Sequence, residues 1–316
     1  MRSLTATRST PVTHTDGRTV SAGIDASHPS SAAVLWAVAE AESTGRPIRL
    51  VSACEPLMVA TPVAYVDDEV PTEPDVGDAR RFLATTASRY ATGLPHVEAD
   101  VMVGGPVQVL LESAKDAYLV VVGQRGVGAV RRLVTGSTSI AVAGRAPCPT
   151  VVVPNGWSVA GQSTAPVVVG LDLRVDDLRV GDGAMPDHPR LDKAAAALDA
   201  AVDQADRRRV PLIVLSSWEA PREIVWTNED VQDHETERVA LLEEFLLPWR
   251  DTHPQVEIVL RAAVGSAEDA LDDAARTAQL LVVARRTKPM RTGGFALGSS
   301  TRHLLHHLVC PLMVVP

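Results

Sequence analysis

Two short segments hold the residues best suited to chemistry. The first is Gly123-Gln124-Arg125-Gly126-Val127-Gly128, directly after the apolar run Leu119 to Val122, and the second is Gly136-Ser137-Thr138. Glycine after a strand lets the backbone come close to an anion, and the free N–H groups at a helix start attract phosphate. The Ser137 and Thr138 hydroxyls add donors, while Arg125 and Arg132 are cations whose guanidinium forks match phosphate oxygens. The plainer alternative gives the glycines to tight turns, makes Ser137 an N-cap and leaves both arginines in solvent. Asp25, closing another apolar run, is the one carboxylate that belongs near such a pocket.

These segments need elements to hold them. Thr19 to Ile24, Ile48 to Ala53, His96 to Met102, Leu119 to Val122 and Thr150 to Val153 read as strands, because they are short apolar runs. Ser30 to Thr44, Ala79 to Tyr90, Val107 to Asp116 and Ser137 to Gly144 read as the helices between them. Strands alternating with helices predict a parallel sheet covered on both faces, with ligands bound beyond the strand C-termini where strand order reverses.

The same course then repeats. Val20-Ser-Ala-Gly-Ile-Asp25 returns as Val167-Val-Val-Gly-Leu-Asp172, and Cys148-Pro-Thr-Val-Val-Val-Pro154 returns as Cys310-Pro-Leu-Met-Val-Val-Pro316. The offset is 147 residues at the aspartates and 162 at Gly136 and Gly298, so order is kept while loops differ. The predicted organisation is a disordered tail over 1–18, a first domain over 19–155, a linker over 156–166 and a second domain over 167–316, with an insertion at about 174–190. That insertion follows the first strand of its half and caps or fills the mouth of a site. Its aspartates, Asp176, Asp177, Asp182 and Asp187, lack calcium-loop spacing and read as solvated surface. The Val-rich last strands, Thr150 to Val153 and Leu312 to Val315, are expected to cover each other, since each is otherwise an open pairing edge.

Composition narrows the function. With 316 residues, 46% hydrophobic and 22% charged, the chain is long enough for two cores. A net charge of -9, with no basic block, argues against nucleic acid, and no apolar run approaches the ~20 residues of a membrane span. The polar N-terminal segment lacks the apolar stretch of a secretory signal, so a cytoplasmic location is expected. Cys54, Cys148 and Cys310 read as core residues. His303 and His307 have the i, i+4 spacing of a chelating pair, but no neighbouring acid in sequence completes a metal site, and none is assigned. No Gly-Lys pair, dinucleotide fingerprint or Ser-His-Asp set stands out, so no catalytic residue is assigned.

The combined pattern Gly123-x2-Gly126-x9-Gly136-Ser137, with Val20-x2-Gly23-x-Asp25 and Ala146-Pro-Cys-Pro-Thr-Val-Val-Val, closely resembles the ATP-binding branch of the universal stress protein family in its tandem form. The resemblance implies an α/β fold of two doubly wound domains, Rossmann-like and similar to the adenine nucleotide alpha hydrolase type, each with a five-stranded parallel sheet. It places Asp25 at the nucleoside, the Ala53 backbone at adenine, Val122 at the base or sugar, Gly123 and Gly126 along ribose and phosphates, and Gly136, Ser137 and Thr138 at the phosphates. The cofactor-binding candidates are therefore these, with Gly23, Gln124, Arg125, Val127, Gly128 and Arg132. In the second half Asp172, Ser217, Val283, Gly298, Ser299 and Ser300 persist, but Ala284 and Thr287 stand where glycines are expected, which leaves a second site open. The implied function is an ATP-binding, stress-response regulatory protein, with Mg2+ as an optional companion of the ATP. An unknown protein partner and a homodimer are admitted. The alternatives are a nucleotide-free scaffold of the same fold or an ATP-dependent ligase or transferase.

Overall fold

The computed structural model describes residues 19–25, 32–54, 76–124, 136–158, 164–178, 189–219, 227–289 and 295–316. The first half runs β1 (Thr19–Gly23), α1 (Ala32–Thr44), β2 (Ile48–Cys54), α2 (Val76–Tyr90), β3 (Val97–Val103), α3 (Pro106–Ser113), β4 (Ala117–Gly123), α4 (Ser137–Arg145) and β5 (Thr150–Val153). The second runs β6 (Val167–Gly170), α5 (Val175–Leu178), α6 (Pro189–Arg208), β7 (Leu212–Trp218), α7 (Asn228–Thr252), β8 (Ile258–Val264), α8 (Ala267–Ala275) and β9 (Leu280–Ala284). It ends with β10 (Thr287–Pro289), β11 (Phe295–Leu297), α9 (Ser299–His306) and β12 (Leu312–Val315).

Ten strands form one sheet in the order β3-β2-β1-β4-β5-β12-β9-β6-β7-β8. Each half contributes five parallel strands, and order reverses between β1 and β4 and again between β6 and β9. The halves join where β5 and β12 pair antiparallel, Val151 opposite Met313, so the two expected edges do cover each other. The central strands are buried on both faces, which suits their nearly unbroken Val and Leu content. One core layer packs Trp36, Leu83, Leu198 and Leu246 on one face of the sheet, and another packs Leu110, Val142, Leu271 and Leu305 on the other; both run across the seam. The sequence reading carries Val107 to Asp116 as a helix, but α3 stops at Ser113. It also leaves the stretch after β9 as loop, where β10 and β11 form an antiparallel ribbon.

The glycines that end β1 and β6 serve packing. A Cβ on Gly23 would lie 2.6 Å from Leu110 Cδ2, and one on Gly170 would lie 2.7 Å from Leu271 Cδ2. Leu110 is buried against α3's neighbours and has little room to turn. Gly23→Ala is expected to cost about 1–3 kcal/mol as overpacking, measured by urea denaturation. A change below the error of that measurement would show that α3 shifts freely.

Candidate functional site

The sheet topology brings the C-termini of β1, β2 and β4 together at the first reversal point, and α4 starts beside them. Backbone bonds set this geometry. Gln124 N–H donates to the Val153 carbonyl at 2.8 Å, and Gly136 N–H donates to the Gln124 carbonyl at 3.0 Å, so the loop leaves and returns at one point. The Ser139 hydroxyl donates to the Gly123 carbonyl at 2.7 Å and locks α4 to the end of β4. Gly136, not Ser137, is the N-cap of α4, with no side-chain cap, and Ser137 is the first helical residue. The plain N-cap role for Ser137 is thereby overturned. A helix start without a side-chain acceptor leaves its first-turn N–H groups available to an anion.

A groove of about 600 Å³ runs between α3 and α4 past Ser137, Thr138, Pro106, Gln108, Glu112, Lys115 and Arg145, and takes in none of Asp25, Ala53, Val122 or Gly123. Ala53 is half-buried on β2 opposite Met102, and Asp25 is half-buried just past β1. Val122 is buried, with its Cγ1 toward Gly23. The structure thus gathers Gly23, Asp25, Ala53, Val122, Gly123, Gln124, Gly136, Ser137 and Thr138 at one sheet end. Arg125, Gly126, Val127, Gly128 and Arg132 lie outside the described residues.

The second half differs in chemistry. Here Gly298 N–H donates to the Arg286 carbonyl at 2.8 Å, whereas the strand-end bond to β12 comes from Arg285 N–H. The two closures each span the same length, Gln124 to Gly136 and Arg286 to Gly298. The second half has one more residue here, 11 positions from Thr287 to Gly298 against 10 from Gly126 to Gly136, and it sits at Arg285-Arg286, before the loop closes. Asp172, the counterpart of Asp25, forms an ion pair with Arg286. A cavity of about 120 Å³ lies at the ends of β6, β7 and β9, with Asp172, Ser217, Val283 and Ser300 among its walls; Gly298 opens α9 next to it, and Ser299 is exposed.

Residues flanking the insertion shape this cavity. Arg190 and Lys193, from the first turns of α6, line its rim. Asp177 is not solvated surface: it is buried, accepts from the Arg174 N–H at 2.9 Å and pairs with Arg190 at 3.2 Å. The reason is that α5 packs against α6 and α7 and carries Asp177 inward, a placement no local spacing reveals. Residues 179–188 lie outside the described set. Behind Ser217, the Arg238 guanidinium is buried and donates to the Ser216 hydroxyl and to the Ser217 carbonyl. Burial pushes its pKa down, opposed by the negative charge of Asp172.

Sequence reading misses Ser139, Arg190, Lys193 and Arg238, because each reaches the site from another element. It also misses the partner of His303. Asp272 on α8 hydrogen-bonds His303 Nε2 at 2.7 Å and holds its pKa above the ordinary histidine value. Among the described residues no three His, Cys, Asp or Glu side chains converge as metal ligands, and no helix is long and apolar enough to cross a membrane. All three cysteines are buried, and burial pushes the Cys310 thiol up to about 12.

The profile of the universal stress protein family matches residues 17–154 and 190–316. A universal stress protein of Mycolicibacterium smegmatis is 30% identical over 93% of this chain and 95% of its own length. One from Mycobacterium tuberculosis is 31% identical over 87% of each chain. The crystal structure of a universal stress protein from Archaeoglobus fulgidus shares the fold, with a TM-score of 0.59 at 15% identity, over 94% of this chain and 96% of the other.

Proposed function

The chain belongs to the universal stress protein family, and from that premise we propose that it is an ATP-binding regulatory protein of the stress response, with little or no hydrolysis of its own. The observation that carries this reading is the uncapped start of α4 at Gly136, set at the first reversal point beside the ends of β1, β2 and β4. Ser137, Thr138 and the first-turn N–H groups would meet the phosphates, and Asp25 and the Ala53 backbone would meet the nucleoside. On this reading Asp25 stands at the nucleoside end, and none of the described candidate residues is assigned as a base or nucleophile toward phosphorus. The reading therefore favours binding over turnover, and cytoplasmic action through a protein partner.

The test has two steps. Denaturing extraction of the purified protein, followed by chromatography, is expected to release adenine nucleotide. Calorimetry of the stripped chain with ATP is expected to give one site per chain. A protein that carries no nucleotide and binds none would instead be the scaffold, and steady ATP turnover with an acceptor would make it a transferase or ligase. Two comparable ATP sites would overturn the asymmetry between the halves.

A further inference from the structure

We propose that the second half braces the nucleotide site of the first: Arg285 and Leu297, from the segment that follows β9, hold α4 at its far end and so position the helix start that meets the phosphates. The proposal rests on the nucleotide reading above and gives the second half a part in that same site.

The sequence of α4 calls for outside support. Its nine residues hold two alanines against one glycine, three hydroxyl side chains and the β-branched Ile140 and Val142, and a helix so short and so composed does not persist in water by itself. Its order must come from packing. At the front the Ser139 hydroxyl ties it to the Gly123 carbonyl, within the first half. At the back the holds come from the second half. Leu297 of β11 is buried in the same core layer as Val142 and Ala143, and it lies against Gly144, where an added Cβ would stand 3.5 Å from Leu297 Cγ. Arg285 Nη1 donates to the Ala146 carbonyl at 2.6 Å. Ala146 is the C-cap of α4, so this carbonyl is one that a helix end leaves without an intrahelical donor, and the guanidinium sits at the negative end of the helix dipole.

The second half fixes Arg285 from both sides. Its N–H donates to the Val315 carbonyl of β12 at 2.6 Å, and its carbonyl accepts from Lys193 Nζ at 3.1 Å. Gln124 makes the same strand-end bond in the first half, but there the carbonyl is taken by Gly136 N–H. The extra residue of the second half moves that closure to Arg286 and releases Arg285 for the seam. A guanidinium on so constrained a backbone loses little freedom in reaching Ala146. At about 1.5 Å per residue α4 is only about 14 Å long, so a shift at Ala146 reaches Gly136, Ser137 and Thr138 as a tilt of the whole helix.

The experiment is calorimetry of the full chain with ATP and with adenosine, using Arg285→Ala, Arg285→Lys and Leu297→Ala, with the exposed Arg276→Ala as control. Arg285→Ala is expected to weaken ATP by about tenfold and leave adenosine unchanged, because the start of α4 meets the phosphates alone. Arg285→Lys keeps a cation at the helix end and is expected to recover part of the loss. Leu297→Ala is expected to show the same split between the two ligands, and Arg276→Ala to bind as the natural chain does. Circular dichroism reports folding, and if Leu297→Ala does not fold the Arg285 pair decides. Equal losses for ATP and adenosine in Arg285→Ala would mean general loosening and overturn the brace. A natural chain that binds no ATP removes the nucleotide reading and the brace with it, whereas ATP bound equally well by the natural chain and Arg285→Ala removes the brace alone.

Discussion

Replacing Glu40 by alanine is expected to destabilise the protein by about 3–5 kcal/mol, the usual cost of stripping one partner from a buried ion pair. Glu40 is fully buried on α1 and accepts from three groups of α6: Gln204 Nε2 at 2.7 Å, Arg207 Nη2 at 2.8 Å and Arg208 Nη2 at 3.4 Å. Burial alone would lower the Arg207 pKa, but Glu40, Tyr118 and Asp203 hold it above its ordinary value. Burial does lower that of Arg208, with Glu40 opposing. Removal of the carboxylate leaves both guanidinium groups short of counter-charge at the contact between the halves.

The position matters as much as the charge. Glu40 lies eight residues before Ile48, and Gln204 eight before Leu212, and those two strand starts pair with the matching residues Val20 and Val167. Glu40 and Gln204 are therefore counterparts facing each other across the pseudo-two-fold. Two first halves joined this way would bring two buried carboxylates together, and two second halves would bring four arginines together with only the partly exposed Asp203 carboxylates to offset them. Glu40→Gln is expected to keep one accepting oxygen for Gln204 and Arg207 while losing the acceptor for Arg208, and to fall between alanine and the natural chain. Urea denaturation reads all three, and a loss under about 1 kcal/mol for the alanine variant would place the pair among energetically neutral contacts.

Gly126→Asp is expected to abolish ATP binding while the chain stays folded. On the proposed reading the substitution puts a side chain and a negative charge where backbone N–H groups approach phosphate, and loop changes are tolerated better than core changes. Each charge-assisted contact is worth about 1.5–3 kcal/mol, so losing two weakens binding by about 100-fold or more. Calorimetry with circular dichroism as the folding control decides it. Unchanged affinity would remove the phosphate role from this loop.

Residues near in sequence were the readable part of the site. The helix start at Gly136 announces itself through spacing within one strand-loop-helix unit, because turn geometry and helix ends are local. Asp177 misleads for the opposite reason. Asp176 beside it is exposed, yet α5 turns Asp177 inward toward Arg190, thirteen residues away along the chain. Ser139 and His303 are similar: one ties α4 to a carbonyl of β4, and the other meets Asp272 on a different helix.

The sequence by itself determined the family, the alternation of strands and helices, the duplication and the Val-rich edges that join the halves. Those features repeat in order or follow short apolar periods, so each is visible in a window of a few residues. Only the tertiary structure decided where the extra residue of the second loop lies, and that Arg190, Lys193 and Arg286 line one small cavity. The physical reason is distance along the chain. The charge of a cavity is the sum over side chains from α6 and the loop after β9, and no local pattern records that they meet.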